Sequence, residues 1–395
     1  MSSSSIKVLL PTTPCVTPPA PVTDRERPGL LVALQVVPDP RDVRGRRYGL
    51  SSLLAVAVCA VLAGACTFTA VHDWVRDLDR PAWRKLGFAD TVPAATTLWR
   101  LLIRIDAGVL QQVLTRWLRE RSTPLQVTGR RWRLVIAIDG KVLRGARTVD
   151  GRQVHLLAAY DTRTGIVLGQ VQIETKSKEI PAFTPLLDQV VAQLGSLRGV
   201  VIVADALHAQ TGHARAVAAR GGDFMVAAKA NQPRLYAQLK ALPWHEIQAG
   251  GQQREVGHGR RETRTVKAVT VHTDGGLAFP HAQQAVRITR TRTIKGKTSR
   301  ETAYYTMSLP ASLAQPDDLG AFARNEWLIE NALHHVRDVT FREDAHRART
   351  GTGPAVFATL RNTAIGYHRL NGATNIARAT RTANRRSTQL IDTVT

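Results

Sequence analysis

The 395-residue sequence predicts an α/β protein: a mixed sheet flanked by helices, with a helical N-terminal domain before it and a β-rich insertion inside it. Three observations carry that expectation. Apolar residues in 29–125 recur at helical spacing, with capping residues between the segments. From Arg131 the pattern changes to short apolar runs bounded by turns, and residues 231–320 alternate apolar and polar positions between Gly-rich turns. The 44% hydrophobic content suits a soluble globular chain, and the length allows two or three domains with real cores.

Residues 1–28, rich in Pro and Thr, read as a flexible leader without the basic start and long apolar core of a signal peptide. In the helical domain, 29–125, Ser51 or Ser52 is placed to cap a helix through Ala65. A second helix runs near Thr69–Leu78, Thr96 or Thr97 starts a third, and Asp106 caps a fourth through Glu120. No residue from Tyr48 to Val71 is formally charged, a span long enough for a bilayer. Ser51, Ser52, Gly64, Thr67 and Thr69 interrupt it and much of it is alanine, so a buried helix is expected rather than a membrane span. Cys15, Cys59 and Cys66 offer neither a paired framework nor metal-ligand spacing. Cys59 and Cys66 fall on one helical face as core residues, which fits a reduced, cytoplasmic compartment.

The first part of the core, 131–230, begins with Leu134–Ile138, apolar throughout like a strand buried on both faces. Val154–Tyr160 and Ile166–Ile173 follow as strands joined by the turn Asp161-Thr-Arg-Thr-Gly165. An amphipathic helix Ile180–Leu194, a strand Val200–Ala204, a helix His208–Arg220 and a strand Phe224–Ala228 complete it. The insertion, 231–318, carries strands at Thr263–Val271, Ala285–Thr291 and Thr302–Leu309. The second part of the core, 319–372, holds helical Leu319–Arg337 and an amphipathic helix Ala355–Leu370 that ends at Asn371-Gly372. Residues 373–395, with Arg378, Arg381, Arg385 and Arg386, read as a mobile basic tail.

A net charge of +23, from 54 Lys+Arg against 31 Asp+Glu, favours a polyanionic partner. Against it stand three acids: Asp139 after one apolar strand, Asp205 after another, and Glu330 in the later helix. Singly, Asp139-Gly140 is also a hairpin signal, Asp205 an N-cap and Glu330 a surface glutamate. Together they suit a divalent cation, because clustered carboxylates repel unless one neutralises them, and hard oxygen donors select Mg²⁺ or Mn²⁺. Lys141 and Arg144 are candidates to hold a phosphate beside Asp139, as is His208 beside Asp205, which equally suits a strand-to-helix turn. Arg324 and Arg337 serve either as phosphate contacts or as a solvated helix face. Arg44, Arg46 and Arg47, in the loop Arg41–Arg47, serve either as a phosphate contact or as a solvated turn. His334 and His335 are adjacent and face different directions. With no His-x-x-x-His or Cys-x-x-Cys, zinc is not expected, and the absence of a Gly-x-x-x-x-Gly-Lys-Ser/Thr loop argues against an NTPase.

Several segments closely resemble the DDE transposases of the H-repeat-associated insertion-sequence type. These are Ala137-Ile-Asp-Gly-Lys-Val-Leu-Arg-Gly145, Ala204-Asp-Ala-Leu-His-Ala-Gln210, Trp327-Leu-Ile-Glu-Asn-Ala-Leu-His334 and Asp338-Val-Thr-Phe-Arg-Glu-Asp-Ala-His-Arg347. Asp39–Tyr48 and Leu62–Ala65 resemble that family's helical associated domain. Lys176–Ile180, Ala228–Gln232 and Gly257–Arg264 are further matches. The resemblance spans roughly Gly29 to Leu370. It implies an RNase H-like core in which Asp139, Asp205 and Glu330 bind two Mg²⁺ ions, with Mn²⁺ as a substitute. It implies cleavage and joining of double-stranded DNA at the element's terminal inverted repeats and at a target, by a homodimer or larger assembly at the bacterial nucleoid. A DNA-binding relic without catalysis, or a nuclease without strand transfer, stays open at this point. The chain departs from the family pattern at Lys178, Glu326, His335 and Arg337. At Glu326 a basic residue or histidine is usual.

Overall fold

The computed structural model describes residues 27–122, 134–148, 150–173, 179–257, 259–271 and 276–395. Most of the expected leader, Cys15 and Lys178 lie outside them. Six helices come first: α1 (Leu30–Leu34), α2 (Leu50–Leu62), α3 (Phe68–Arg76), α4 (Arg80–Lys85), α5 (Ala95–Leu102) and α6 (Ala107–Arg121). The expected cap at Asp106 is present, its carboxylate accepting from the amides of Gly108 and Val109. Ser51 and Ser52 are not caps: α2 starts after Gly49, and Ser52 is buried among its apolar residues. Neither Thr96 nor Thr97 starts a helix, because Ala94 precedes the first turn of α5. Short α4, capped by Asp79, has no counterpart among the expected elements. α2 is buried nearly all round, and among the described residues no helix is long and apolar enough to cross a membrane. Cys59 is core; Cys66 lies beyond the end of α2 and is only half-buried, so the two do not share a helical face.

Among the described residues one nine-stranded sheet follows, in the order β3-β2-β1-β4-β5-β9-β8-β7-β6. Its first part is β1 (Leu134–Arg147), β2 (Gln153–Asp161), β3 (Val167–Ile173), α7 (Glu179–Leu194), β4 (Val200–Ala204), α8 (Thr211–Ala219) and β5 (Asp223–Ala228). β1, β2 and β3 are antiparallel neighbours, while β1-β4 and β4-β5 are parallel. β1 is far longer than its apolar run because pairing with β2 carries it through Gly140 and Lys141 as far as Leu143, with a register shift before Arg147. The turn at Asp161 forms as expected: its carboxylate accepts from the Arg163 and Thr164 amides, and Gly165 takes a positive φ of 77°. After α9 (Pro233–Ala241), strands β6 (Gly251–Gly257), β7 (Arg260–Thr270), β8 (Gln284–Ile294) and β9 (Lys297–Met307) continue the same sheet, β9 pairing antiparallel with β5.

Then come α10 (Pro316–Leu328), a π-helical turn (Ile329–His334) and α11 (His335–Val339), wound as one continuous helix. α12 (Gly353–Leu370) is the central helix, packed against α2, α6 and β3. It is not amphipathic: every residue from Gly353 to His368 is buried, and its polar groups find interior partners. Asn362 donates to Gln170 (2.9 Å), and His368 meets the Leu62 carbonyl (2.9 Å). Residues 373–395 are no mobile tail. They form α13 (Ile376–Arg385) and α14 (Ser387–Val394), because Ile376, Leu390, Ile391 and Val394 bury an apolar stripe while the arginines line the other side.

Candidate active site

Leu134–Ile138 of β1 pairs in parallel with Val200–Ala204 of β4, Ile138 lying opposite Ala204. Asp139 and Asp205 are the next residue on each strand, so adjacent strands, roughly 4.8 Å apart, deliver both carboxylates to the same edge. Asp139-Gly140 is not a hairpin turn: Asp139 lies opposite Ala158 and the strand runs on. The Gly140 amide donates to Asp139 Oδ1 at 2.8 Å. A Cβ on Gly140 would come within 2.5 Å of Glu179 Oε1, so only glycine lets that buried carboxylate lie against the strand here. Asp205 does cap the turn that follows it, accepting from the Leu207 amide (2.9 Å) through Oδ1. That bond uses one carboxylate oxygen and leaves Oδ2 for another task.

The helix α10–α11 passes beside β1 and β4 and brings a second set of donors. Glu326, Glu330 and His334 recur every four residues, and the last two lie within the π-helical turn. His334 Nδ1 is 3.0 Å from Glu330 Oε2 and 3.6 Å from Asp139 Oδ2. One ligand atom from each of Asp139, Glu330 and His334 lies within 4.8 Å of the others. His334 is 2% exposed, whereas the Glu330 side chain is 56% exposed, so the group is walled on one side and open on the other. Paired-histidine spacing does not single out His334; the pattern that does is Glu330 and His334 at i,i+4, which places a carboxylate and an imidazole side by side.

The charges are strongly coupled. Burial raises the Asp139 carboxyl above the usual range; the nearby His334 and the Gly140 amide oppose this, and Asp205 and Glu330 add to it. Glu330 is held below its ordinary value, chiefly by its hydrogen bond with His334. Glu326, half-buried one turn before Glu330, is pushed up to about 7 by burial and by the negative charge of Asp205, with Lys229 pulling the other way. Four carboxyls thus feel one another, and a hard cation is the partner that relieves their repulsion. Asp205 lies outside the tightest trio, but its charge acts on both Asp139 and Glu326.

The residues expected to hold phosphate fare differently. Lys141, two residues past Asp139 on the same strand, is buried with Nζ 2.6 Å from Asp338 Oδ2. Arg144 is open to solvent beside Asp344 (3.5 Å). His208 ends the turn after Asp205, as one of its two readings expects, and lies in the interior: it is 1% exposed, packed with Phe183 and His213 and 3.4 Å from Glu179. Arg337 is no solvated face: it is fully buried and donates twice to Glu343 (2.7 and 2.9 Å). Arg324 is exposed and pairs with Glu255 of β6 at 2.6 Å. In the N-terminal loop Arg44 is exposed, Arg46 bonds the Arg41 carbonyl, and Arg47 lies over the Tyr48 ring at 5.6 Å.

The family model described as the transposase DDE domain matches residues 132–366, more than half of the chain, and a model for the region associated with that domain matches residues 31–118. YncI of Escherichia coli O157:H7, whose name marks it as an inferred transposase, is 29% identical over 352 residues, 86% of this chain and 87% of its own. YhhI of Escherichia coli K12, named on the same footing as an H repeat-associated transposase, is 27% identical over 355 residues, 85% of this chain and 89% of its own. Among solved structures, a piggyBac transposase synaptic complex with hairpin DNA aligns with 89% of this chain and 75% of its own. At 11% identity and a TM-score of 0.42 that likeness is too slight to bear on fold or function.

Proposed function

The chain belongs to the transposase DDE-domain family and is an insertion-sequence transposase, and from that premise we propose that Asp139, Asp205 and Glu330 are its metal-binding acids. The observation that carries this is the convergence of Asp139 and Glu330, 191 residues apart in the chain (330 − 139), within 4.8 Å, with Asp205 at the end of the neighbouring parallel strand. We read the antiparallel trio β3-β2-β1 continued by parallel β4 and β5 as an RNase H-like core, with β6–β9 as its insertion.

The donor set fits a pair of divalent cations. The acids are mutually repelling, partly desolvated and open to solvent on one side. When bound, the ions supply activation of the attacking oxygen and neutralisation of the leaving one. The protein's own residues do the rest. Asp139 and Asp205 are fixed by backbone amides, so their oxygens are aimed before any ligand arrives. Before any ion binds, His334 Nδ1 holds Glu330 beside Asp139. Arg144 and Arg324, both exposed, draw in the phosphate backbone of double-stranded DNA, as does the N-terminal loop with Arg44, Arg46 and Arg47. No nucleophilic side chain is needed, because water and then a DNA 3′-hydroxyl serve. The substrate is the pair of element ends and a target, held by at least two copies of the chain at the nucleoid.

Strand cutting of DNA from the flanks of this reading frame, with and without Mg²⁺ or Mn²⁺, tests the reading. Asp139→Ala abolishes metal-dependent cutting and strand joining while DNA binding persists. Undiminished cutting by that variant refutes the assignment.

A further inference from the structure

We infer that His334 is a direct metal ligand through Nδ1, giving one ion an imidazole nitrogen beside the oxygens of Asp139 and Glu330. This rests on the metal site proposed above and goes beyond its three acids. The ring is 2% exposed and locked by its surroundings, and Nδ1 is the atom turned toward both carboxylates, 3.0 Å from Glu330 and 3.6 Å from Asp139. A positioning residue that served only Glu330 would have no reason to face Asp139 as well. The other ring nitrogen, Nε2, is buried with no hydrogen-bond partner among the described residues. An ion between the two carboxylates takes the Nδ1 lone pair, and the ring hydrogen then resides on Nε2.

The consequence is chemical selectivity. An all-carboxylate site suits Mg²⁺, whereas a nitrogen donor favours borderline cations, for which affinity rises along the first transition row. Within this site His334 tips the preference from Mg²⁺ toward Mn²⁺. Glu326, which adds a further carboxylate near Asp205, leaves that preference to His334 because it is another oxygen donor.

The test uses the full chain and Mn²⁺ alone. Pulsed electron paramagnetic resonance of the bound ion reads directly coordinated nitrogen. The expected result is a nitrogen coupling in the native protein that shifts when histidine is ¹⁵N-labelled and disappears in His334→Gln. That variant binds Mn²⁺ at least about tenfold more weakly, and its ratio of Mn²⁺ to Mg²⁺ affinity falls. The labelling experiment needs no substitution, so it stands even if the variant folds poorly. Mn²⁺ bound with oxygen coupling only, in a manner lost in Asp139→Asn, overturns the inference and leaves the acid site standing. Mn²⁺ binding that is absent, or unaltered by Asp139→Asn, removes the acid site and the inference together.

Discussion

The ammonium of Lys141 lies 2.6 Å from Oδ2 of Asp338, tying the strand of Asp139 to the helix of Glu330. Lys141 follows Asp139 by two residues and Asp338 follows Glu330 by eight, so the ion pair braces the two halves of the site just beyond the acids they carry.

Breaking this brace has a predictable cost. Lys141 is 9% exposed and the Asp338 side chain 30%, so removing either partner strands a largely desolvated charge. Lys141→Met and Asp338→Asn should each destabilise by roughly 1–3 kcal/mol, and the double variant by clearly less than their sum. Denaturant unfolding of the four proteins measures it; additive losses would mean that the pair is not a working contact.

Glu326 makes stability depend on pH with a definite sign. Its folded-state carboxyl titrates at about 7 against an ordinary 4.5, so the unfolded chain ionises first as pH rises. Metal-free protein therefore loses stability between about pH 4.5 and 7 through this group. Glu326→Gln should match the native protein at pH 4 and exceed it at pH 8 by roughly 1–3 kcal/mol, the lower end reflecting its partial exposure. Thermal unfolding at the two pH values with a chelator present decides it.

Glu343 behaves in the opposite way. Burial alone would raise its pKa, but the guanidiniums of Arg337 and Arg361 more than reverse this and bring it to about 2. Its contribution is present above the unfolded value near 4.5 and is lost as pH falls toward 2. Glu343→Gln leaves two buried arginines without a counter-charge, so a loss of roughly 3–5 kcal/mol is expected at neutral pH. A soluble variant with native unfolding temperature would contradict this account.

Gly145 is a packing requirement rather than a turn residue. A Cβ there would lie 2.6 Å from the Asp344 carbonyl oxygen and 2.7 Å from that of His346, both backbone atoms with little freedom. Gly145→Ala should cost roughly 1–3 kcal/mol and shift the segment that carries Glu343. Unfolding midpoints measure the first, and protection of that segment from hydrogen exchange the second.

Much of the sheet was legible in the sequence because its strands are apolar runs of strand length, and Leu134–Ile138 and Val200–Ala204 pair where those runs lie. The continuation of β1 past Asp139 was not, since Gly140 and Lys141 are held in strand by pairing with β2, while Lys141 and Arg144 face ion-pair partners on the distant Asp338 and Asp344. Periodicity misjudged α12 for a related reason. Arg361, Asn362 and His368 look like a solvent face, yet partners far away in the chain satisfy them inside. At the site, Asp139, Asp205 and Glu330 stood out by position after strands or within a helix. His208 and Arg337 looked equally polar, and only burial separates a residue that meets solvent from one that holds the interior.

The π-helical winding from Ile329 to His334 carries one more residue than an α-helix would need over the same rise. Excising a residue there would let the ladder close into ordinary winding and leave α11 near its present orientation to α10, because the bulge already absorbs the extra residue within its own turn. What would change is the aim of Glu330 and His334, which both lie inside the bulge. The extra residue thus bears on where those two side chains point, and not on the course of the helix beyond them.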